Sequence, residues 1–178
     1  PITALGLEFD LATSSTIKAD KVEGALELIC ADMASNRKYH QSRDEDLLTT
    51  HIVQALSSHG FNAAHDADTS GHPDIKVWDR TGFEWLCEAK VHSGYEWLSD
   101  GFKQLTTRYS SGAERRDRGC LLIYCYGMKA QSVLTSWAET LKDQFAEVTC
   151  GELLKGHFIS THPHCVSGLP YSVRHKIV

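Results

Sequence analysis

Asp74 follows a proline, and fourteen residues later the chain reads Glu88-Ala89-Lys90. Glu88 and Lys90 stand two apart, so on a strand both project from one face. Two carboxylates and an ammonium gathered in one place are the tools of hydrolytic chemistry. Like charges a few ångströms apart repel, and such a pair costs stability unless a cation lies between them. Mg²⁺ is the natural occupant, since it takes oxygen ligands, typically one or two carboxylates with waters and a substrate phosphate. Mn²⁺ suits the same ligands and can substitute. The plainer alternative is that Glu88 and Lys90 are ordinary charges on a solvent-facing sheet surface. In an open site, truncating Lys90 would cost little stability.

The elements that must position this set follow from the flanking pattern. Ile75 and Val77 alternate with Asp74 and Lys76, and Cys87, Ala89 and Val91 alternate with Glu88 and Lys90. Between them a loop Arg80-Thr81-Gly82, with glycine in the left-handed region, closes a hairpin. It pairs Asp79 with Phe83, and counting outward sets Asp74 opposite Glu88, with Cβ atoms roughly 4.5–5.5 Å apart. Upstream, 18–35 carries Val22, Leu26 and Ile29 at helical spacing. A polar connection leads to a second helix in 44–61, with Leu48, Ile52, Ala55 and Leu56 as its apolar stripe and Gly60 as its stop. The stretch 61–71 begins as a short strand and ends as a loop.

Downstream, 95–110 reads as a helix with Leu98, Phe102, Leu105 and Tyr109 on one side. The run "GCLLIYCYG" at 119–127 has the length and continuous apolarity of a central strand buried on both faces. A helix in 129–148 and strands in 157–161 and 171–178 complete the chain. The succession predicts an α/β fold, a mixed central sheet flanked by helices, in a single domain over 1–178. Its parts are an N-terminal helical extension (1–40), a catalytic core (41–127) and a C-terminal helix with strands (128–178).

Pro73-Asp74 followed by Glu88-Ala89-Lys90 resembles the signature of the PD-(D/E)xK nuclease superfamily, over roughly Glu45 to Tyr126. The resemblance implies a restriction-endonuclease-like αβββαβ core and phosphodiester hydrolysis, with DNA as the expected substrate, in a defence, restriction or repair setting. It implies Mg²⁺ held by Asp74, Glu88 and the Ala89 carbonyl, with Lys90 positioning or activating the attacking water. By the same resemblance an acid on the preceding helix completes the site. Glu45 shares a helical face with Leu48 and Ile52 and is the first choice, with Asp44 and Asp46 behind it. Gln104 on the following helix is a further catalytic candidate. Related sequences carry a tyrosine four residues after that glutamine, whereas here Arg108 stands at four and Tyr109 at five. Two other readings stay open: a catalytically silent binding or scaffold subunit of the same fold, and an RNA-directed or toxin-like nuclease.

A net charge of −5 over 178 residues argues against a general nucleic-acid coat, but not against an enzyme whose site is built of carboxylates. A phosphate clamp would then come from Arg115, Arg116 and Arg118 in "AERRDRG", extended by Lys103 and Arg108. No run approaches the ~18 apolar residues of a membrane helix, and the first residues lack a secretory-signal pattern. The scattered Cys30, Cys87, Cys120, Cys125, Cys150 and Cys165 read as reduced thiols of a cytoplasmic protein. Either a homodimer or a partner subunit is compatible with this. Cys150, His157, His162, His164 and Cys165 have zinc-ligand types, but their spacing matches no standard knuckle. His51 and His59 read as surface or satisfied core residues.

Overall fold

The computed structural model describes residues 1–65, 73–109, 112–127 and 129–178, the side chains of 108 and 109 excepted. The seven strands among the described residues lie in one sheet of order β1-β2-β3-β4-β7-β6-β5. The helices are α1 (Ile2–Leu11), α2 (Ser15–Ser35), α3 (Glu45–Ser58), α4 (Tyr95–Gln104) and α5 (Ala130–Gln144). The strands are β1 (Asn62–Ala64), β2 (Ile75–Trp78), β3 (Glu84–Val91), β4 (Arg118–Tyr124), β5 (Thr149–Cys150), β6 (His157–Pro163) and β7 (Pro170–Ile177). The sheet is mixed: β3, β4 and β7 run parallel, while β1–β2, β2–β3, β7–β6 and β6–β5 are antiparallel. This is the expected α/β class, and α3-β1-β2-β3-α4-β4 follow one another in the expected order.

Two apolar layers hold the sheet. On one face α1, α2 and α3 bury Phe9, Val22, Leu26, Ile29, Leu48 and Ile52 against Val77, Trp85, Cys87, Cys120 and Leu122. On the other, α4 and α5 bury Leu98, Phe102, Trp137 and Leu141 against Leu86, Leu121, Ile123, Phe158 and Val173. The segment 1–40 is therefore one wall of the core rather than an appendage, and β7 from the C-terminal part is interior to the sheet. α1 is not marked out by the sequence, because its proline-led start has no side-chain cap. Of the strand expected in 61–71, Asn62–Ala64 forms β1, while 66–71 lie outside the described residues.

The hairpin register is the expected one: Ile75 pairs with Cys87 and Val77 with Trp85. Gly82 has φ 85°, and the Asp79 amide donates to the Phe83 carbonyl at 3.2 Å. Asp79 fixes the turn through its carboxylate, which accepts from the Thr81 amide at 2.8 Å and the Phe83 amide at 3.1 Å. Lys18 of α2 reaches the same carboxylate at 2.6 Å. Burial opposes ionisation of Asp79, but Lys18 and the Thr81 donors outweigh it and hold the group down to about 2.

Candidate active site

Lys90 is the centre of the site. Its Nζ lies 2.7 Å from Glu88 Oε1, 3.5 Å from Glu45 Oε1 and 3.9 Å from Asp74 Oδ2. Each acid arrives from a different element. Glu88 shares a face of β3 with Lys90, Asp74 stands just before β2, and Glu45 opens α3. The α3 start is fixed by Asp44, whose carboxylate caps the helix by accepting from the Leu47 amide at 2.8 Å. That leaves Glu45 free to reach the sheet, where its Oε2 accepts from the Val91 amide at 2.8 Å. Asp74 Oδ2 accepts from the Ala89 amide at 2.7 Å. Among the three acids offered by the helix start, Glu45 is the one that joins Lys90. Asp44 is a cap, and Asp46 points toward His65, 3.9 Å from its Nε2.

The solvent-facing alternative fails: Glu88 is 3 % exposed and Lys90 6 %. α4 covers them, and Gly101 makes the close approach possible. A Cβ at Gly101 would lie 3.0 Å from Lys90 Cγ and 3.2 Å from Leu121 Cδ1. The expectation that truncating Lys90 costs little is corrected accordingly, because the ammonium is enclosed among acids.

Burial, then the Asp74 charge, raise Glu88 to about 7. Burial also raises Asp74 and Glu45, against the backbone amides and the lysine that lower them. Lys90 is raised because Glu88, Glu45 and Asp74 outweigh its own burial. Desolvation, more than the mutual repulsion anticipated from the register, is the main cause for all three acids. Three carboxylates against one ammonium leave excess negative charge, and Glu88 relieves it by holding a proton near neutrality while Lys90 stays charged.

Whether a divalent ion suits this place turns on the donors. All three acids offer hard oxygens, and the buried Glu88 Oε2 has no hydrogen-bond partner, so it is an acceptor that a cation would satisfy. Among the described residues, no group of three or more His, Cys, Asp or Glu side chains is arranged to hold a metal ion. The ammonium of Lys90 holds the centre instead. The donor types fit Mg²⁺ or Mn²⁺, with the acids organised around Lys90.

The remaining candidates divide. Gln104 ends α4, and among the described contacts no hydrogen bond joins it to Lys90 or the acids. The helix then continues as a π-helical turn, Leu105–Tyr109. The Arg108 and Tyr109 side chains lie outside the described residues. The structure does not bring the arginine cluster to the site. Arg115 donates to the Thr81 carbonyl, and Arg116 lies 3.3 Å from Glu84 Oε1. Both sit at the hairpin tip, four residues of β3 from Glu88, or roughly 13 Å. Arg118 projects to the opposite face, where it pairs with Asp20 at 2.7 Å and Glu23 at 2.9 Å of α2. The cluster serves to dock α2 and the hairpin, so the clamp expected from it is corrected. Lys103 is exposed and lies 3.7 Å from Asp100.

His162 is packed against Phe102 and Tyr171. His157 lies 3.7 Å from Glu27, Cys150 Sγ faces the Ala138 carbonyl, and Cys165 Sγ faces the Thr106 carbonyl. The His51 ring lies tilted against His40, 5.0 Å between centroids, and His59 bonds Thr3 at 2.9 Å. Two residues escaped the sequence reading. His65 donates through Nδ1 to the Asp74 carbonyl at 2.7 Å, and the Trp97 ring lies over Lys90, 5.3 Å from Nζ to the centroid. Neither has a sequence signal, since each is one polar or aromatic residue among many. No protein-family model, curated protein or solved structure matches the chain.

Proposed function

We propose that the chain is a metal-dependent nuclease of restriction-endonuclease-like fold that hydrolyses phosphodiester bonds in DNA. The observation that carries this reading is the convergence of Glu45, Asp74 and Glu88 on Lys90 at the α3-β1-β2-β3-α4-β4 core. Bound by Glu45, Asp74, Glu88 and the Ala89 carbonyl, Mg²⁺ or Mn²⁺ would supply Lewis acidity and a lowered pKa for coordinated water.

The chain's own groups do the rest. Lys90 offers a fixed positive charge where negative charge grows on the phosphate. In the metal-free site burial and the Asp74 charge hold a proton on Glu88 near neutrality. That proton would be displaced on cation binding, so Glu88 would serve as a carboxylate ligand and Lys90, 2.7 Å away, would position the attacking water. Asp74 and Glu45 are oriented by the Ala89 and Val91 amides, so little reorganisation is needed. Among the described residues no helix is long and apolar enough to cross a membrane.

The test is incubation of pure protein with plasmid, linear duplex, single-stranded DNA and RNA, with Mg²⁺, Mn²⁺ or EDTA. Metal-dependent cleavage by the wild type is expected, with none in EDTA. Asp74→Asn should lose cleavage by weakening the metal site, and Lys90→Ala should lose it while still binding the nucleic acid, since one lost phosphate contact weakens binding only modestly. No cleavage of any substrate with either metal would refute the reading, and cleavage of RNA alone would move it to a ribonuclease.

A further inference from the structure

We propose that Trp97 is a stacking platform for an unpaired nucleobase beside the scissile phosphate, so that the site takes single-stranded DNA. This rests on the nuclease reading and deepens it.

Trp97 lies in the first turns of α4, the helix that covers Glu88 and Lys90. Its ring centroid is 5.3 Å from Lys90 Nζ, yet the residue is 46 % exposed. Trp85 and Trp137 are fully buried in the two cores and Trp78, at the end of β2, is 36 % exposed, but Trp97 is the more exposed and lies over the site lysine. An indole left half open beside a buried lysine keeps a flat apolar surface at the place where the reacting phosphate must arrive. A neighbouring base can cover that surface only if it has left its own stack, because in a duplex it is sandwiched and presents an edge.

The charges around the ring point the same way. α4 also exposes Glu96 and Asp100 within a turn of Trp97, and Lys103 is turned toward Asp100. Arg115, Arg116 and Arg118 are engaged at the hairpin tip and on the far face. A duplex would bring a second line of phosphates against this acidic flank, where the described side chains of α4 offer Lys103 to receive it. A single strand brings one line of phosphates and adds base stacking on the indole to what the cations supply.

The experiment uses the full chain, first in EDTA. Tryptophan emission of wild type and Trp97→Phe is followed during titration with oligothymidylate, alone or annealed in a duplex. The single strand should quench the wild type, the duplex should do so weakly, and most of the quenching should be gone in Trp97→Phe. Cleavage is then measured with metal on an intact strand and on strands carrying one abasic residue next to the cut. Trp97→Ala should cut and bind the intact strand about tenfold less well, in the range of one lost stacking contact, with Trp97→Phe between. On the strand abasic at the stacked position, wild type and Trp97→Ala should be equal. A ring that merely shields Lys90 would lower cleavage of both strands alike, and that result overturns the proposal. Unchanged cleavage by Trp97→Ala, or a wild type that prefers duplex, overturns it while leaving the nuclease reading intact. No cleavage of any nucleic acid removes both.

Discussion

A buried lysine among three acids has a stability that depends on which of them hold protons. At pH 8 Glu88 is largely ionised, since it titrates at about 7, and its 2.7 Å contact with Lys90 is an enclosed ion pair. Removing one partner of such a pair strands the other, at a cost on the order of 3 kcal/mol. Lys90→Met should therefore destabilise strongly at pH 8 and much less at pH 5, where Glu88 already carries a proton. Urea denaturation at the two pH values measures this, and an equal cost at both would mean that the carboxylates are not what Lys90 serves. Asp74, Glu88 and Lys90 were legible in the sequence because proline, alternation and spacing fix which face each side chain takes. Their enclosure was not, because it depends on α4 lying flat over β3, and alternation alone cannot distinguish a covered polar face from a wet one. Arg118 misled for a related reason: a strand's first residue can face either way, and here its partners Asp20 and Glu23 are nearly a hundred residues earlier.

At the scale of elements, the hairpin was readable to the residue. A three-residue loop with glycine at the left-handed position allows one register, and any slip would turn Ile75, Val77, Trp85 and Cys87 to the wrong face. The place of β7 beside β4 was not readable, since strand order is decided by packing between distant segments, here Arg174 and Lys176 on Glu27 of α2. α4 comes close to β3 at Gly101, where there is room for little more than a Cβ beside Lys90 and Leu121. Alanine there asks Lys90 Cγ and Leu121 to give by a few tenths of an ångström, whereas valine adds two methyls aimed at the Lys90 stem. Gly101→Ala should keep most of the cleavage activity. Gly101→Val should lose it, with a melting temperature lowered by several degrees, in keeping with a destabilisation of about 1–3 kcal/mol for overpacking. Circular dichroism with the cleavage assay checks this, and a Gly101→Val protein of wild-type activity would show that α4 does not set the position of Lys90.

Over the whole molecule, two buried histidines oppose Glu88. His175 is fully buried, accepts from the Trp137 indole at 3.0 Å through Nδ1 and faces Ser160 through Nε2 at 2.8 Å. Accepting at Nδ1 puts the neutral ring's proton on Nε2. Burial lowers His175 to about 3, and burial with the nearby His164 lowers His162 to about 4. The unfolded chain binds protons at these rings below about pH 6.5 while the folded chain does not, so stability climbs with pH up to about 6.5. Glu88 acts in reverse. Its folded value of about 7 lies above the ordinary 4.5, so the folded state holds the extra proton and loses stability as pH rises from 4.5 to 7. Between 4.5 and 6.5 two gains exceed one loss. Above 6.5 only the loss remains, and it ends near 7. The smaller shifts fall on both sides, with His40, His92 and His157 lowered by burial, and Asp74 and Glu45 raised by it. Metal-free protein should therefore be most stable near pH 6.5, falling toward acid at about 1.4 kcal/mol per pH unit for each net proton. In Glu88→Gln the opposing term is gone, so the acid limb should steepen and the decline above pH 6.5 should shrink. Urea midpoints from pH 5 to 8 for both proteins, in chelator, decide it. A wild-type curve that rises steadily through pH 8, or a Glu88→Gln curve of identical shape, would mean that Glu88 does not hold its proton near neutrality in the folded state.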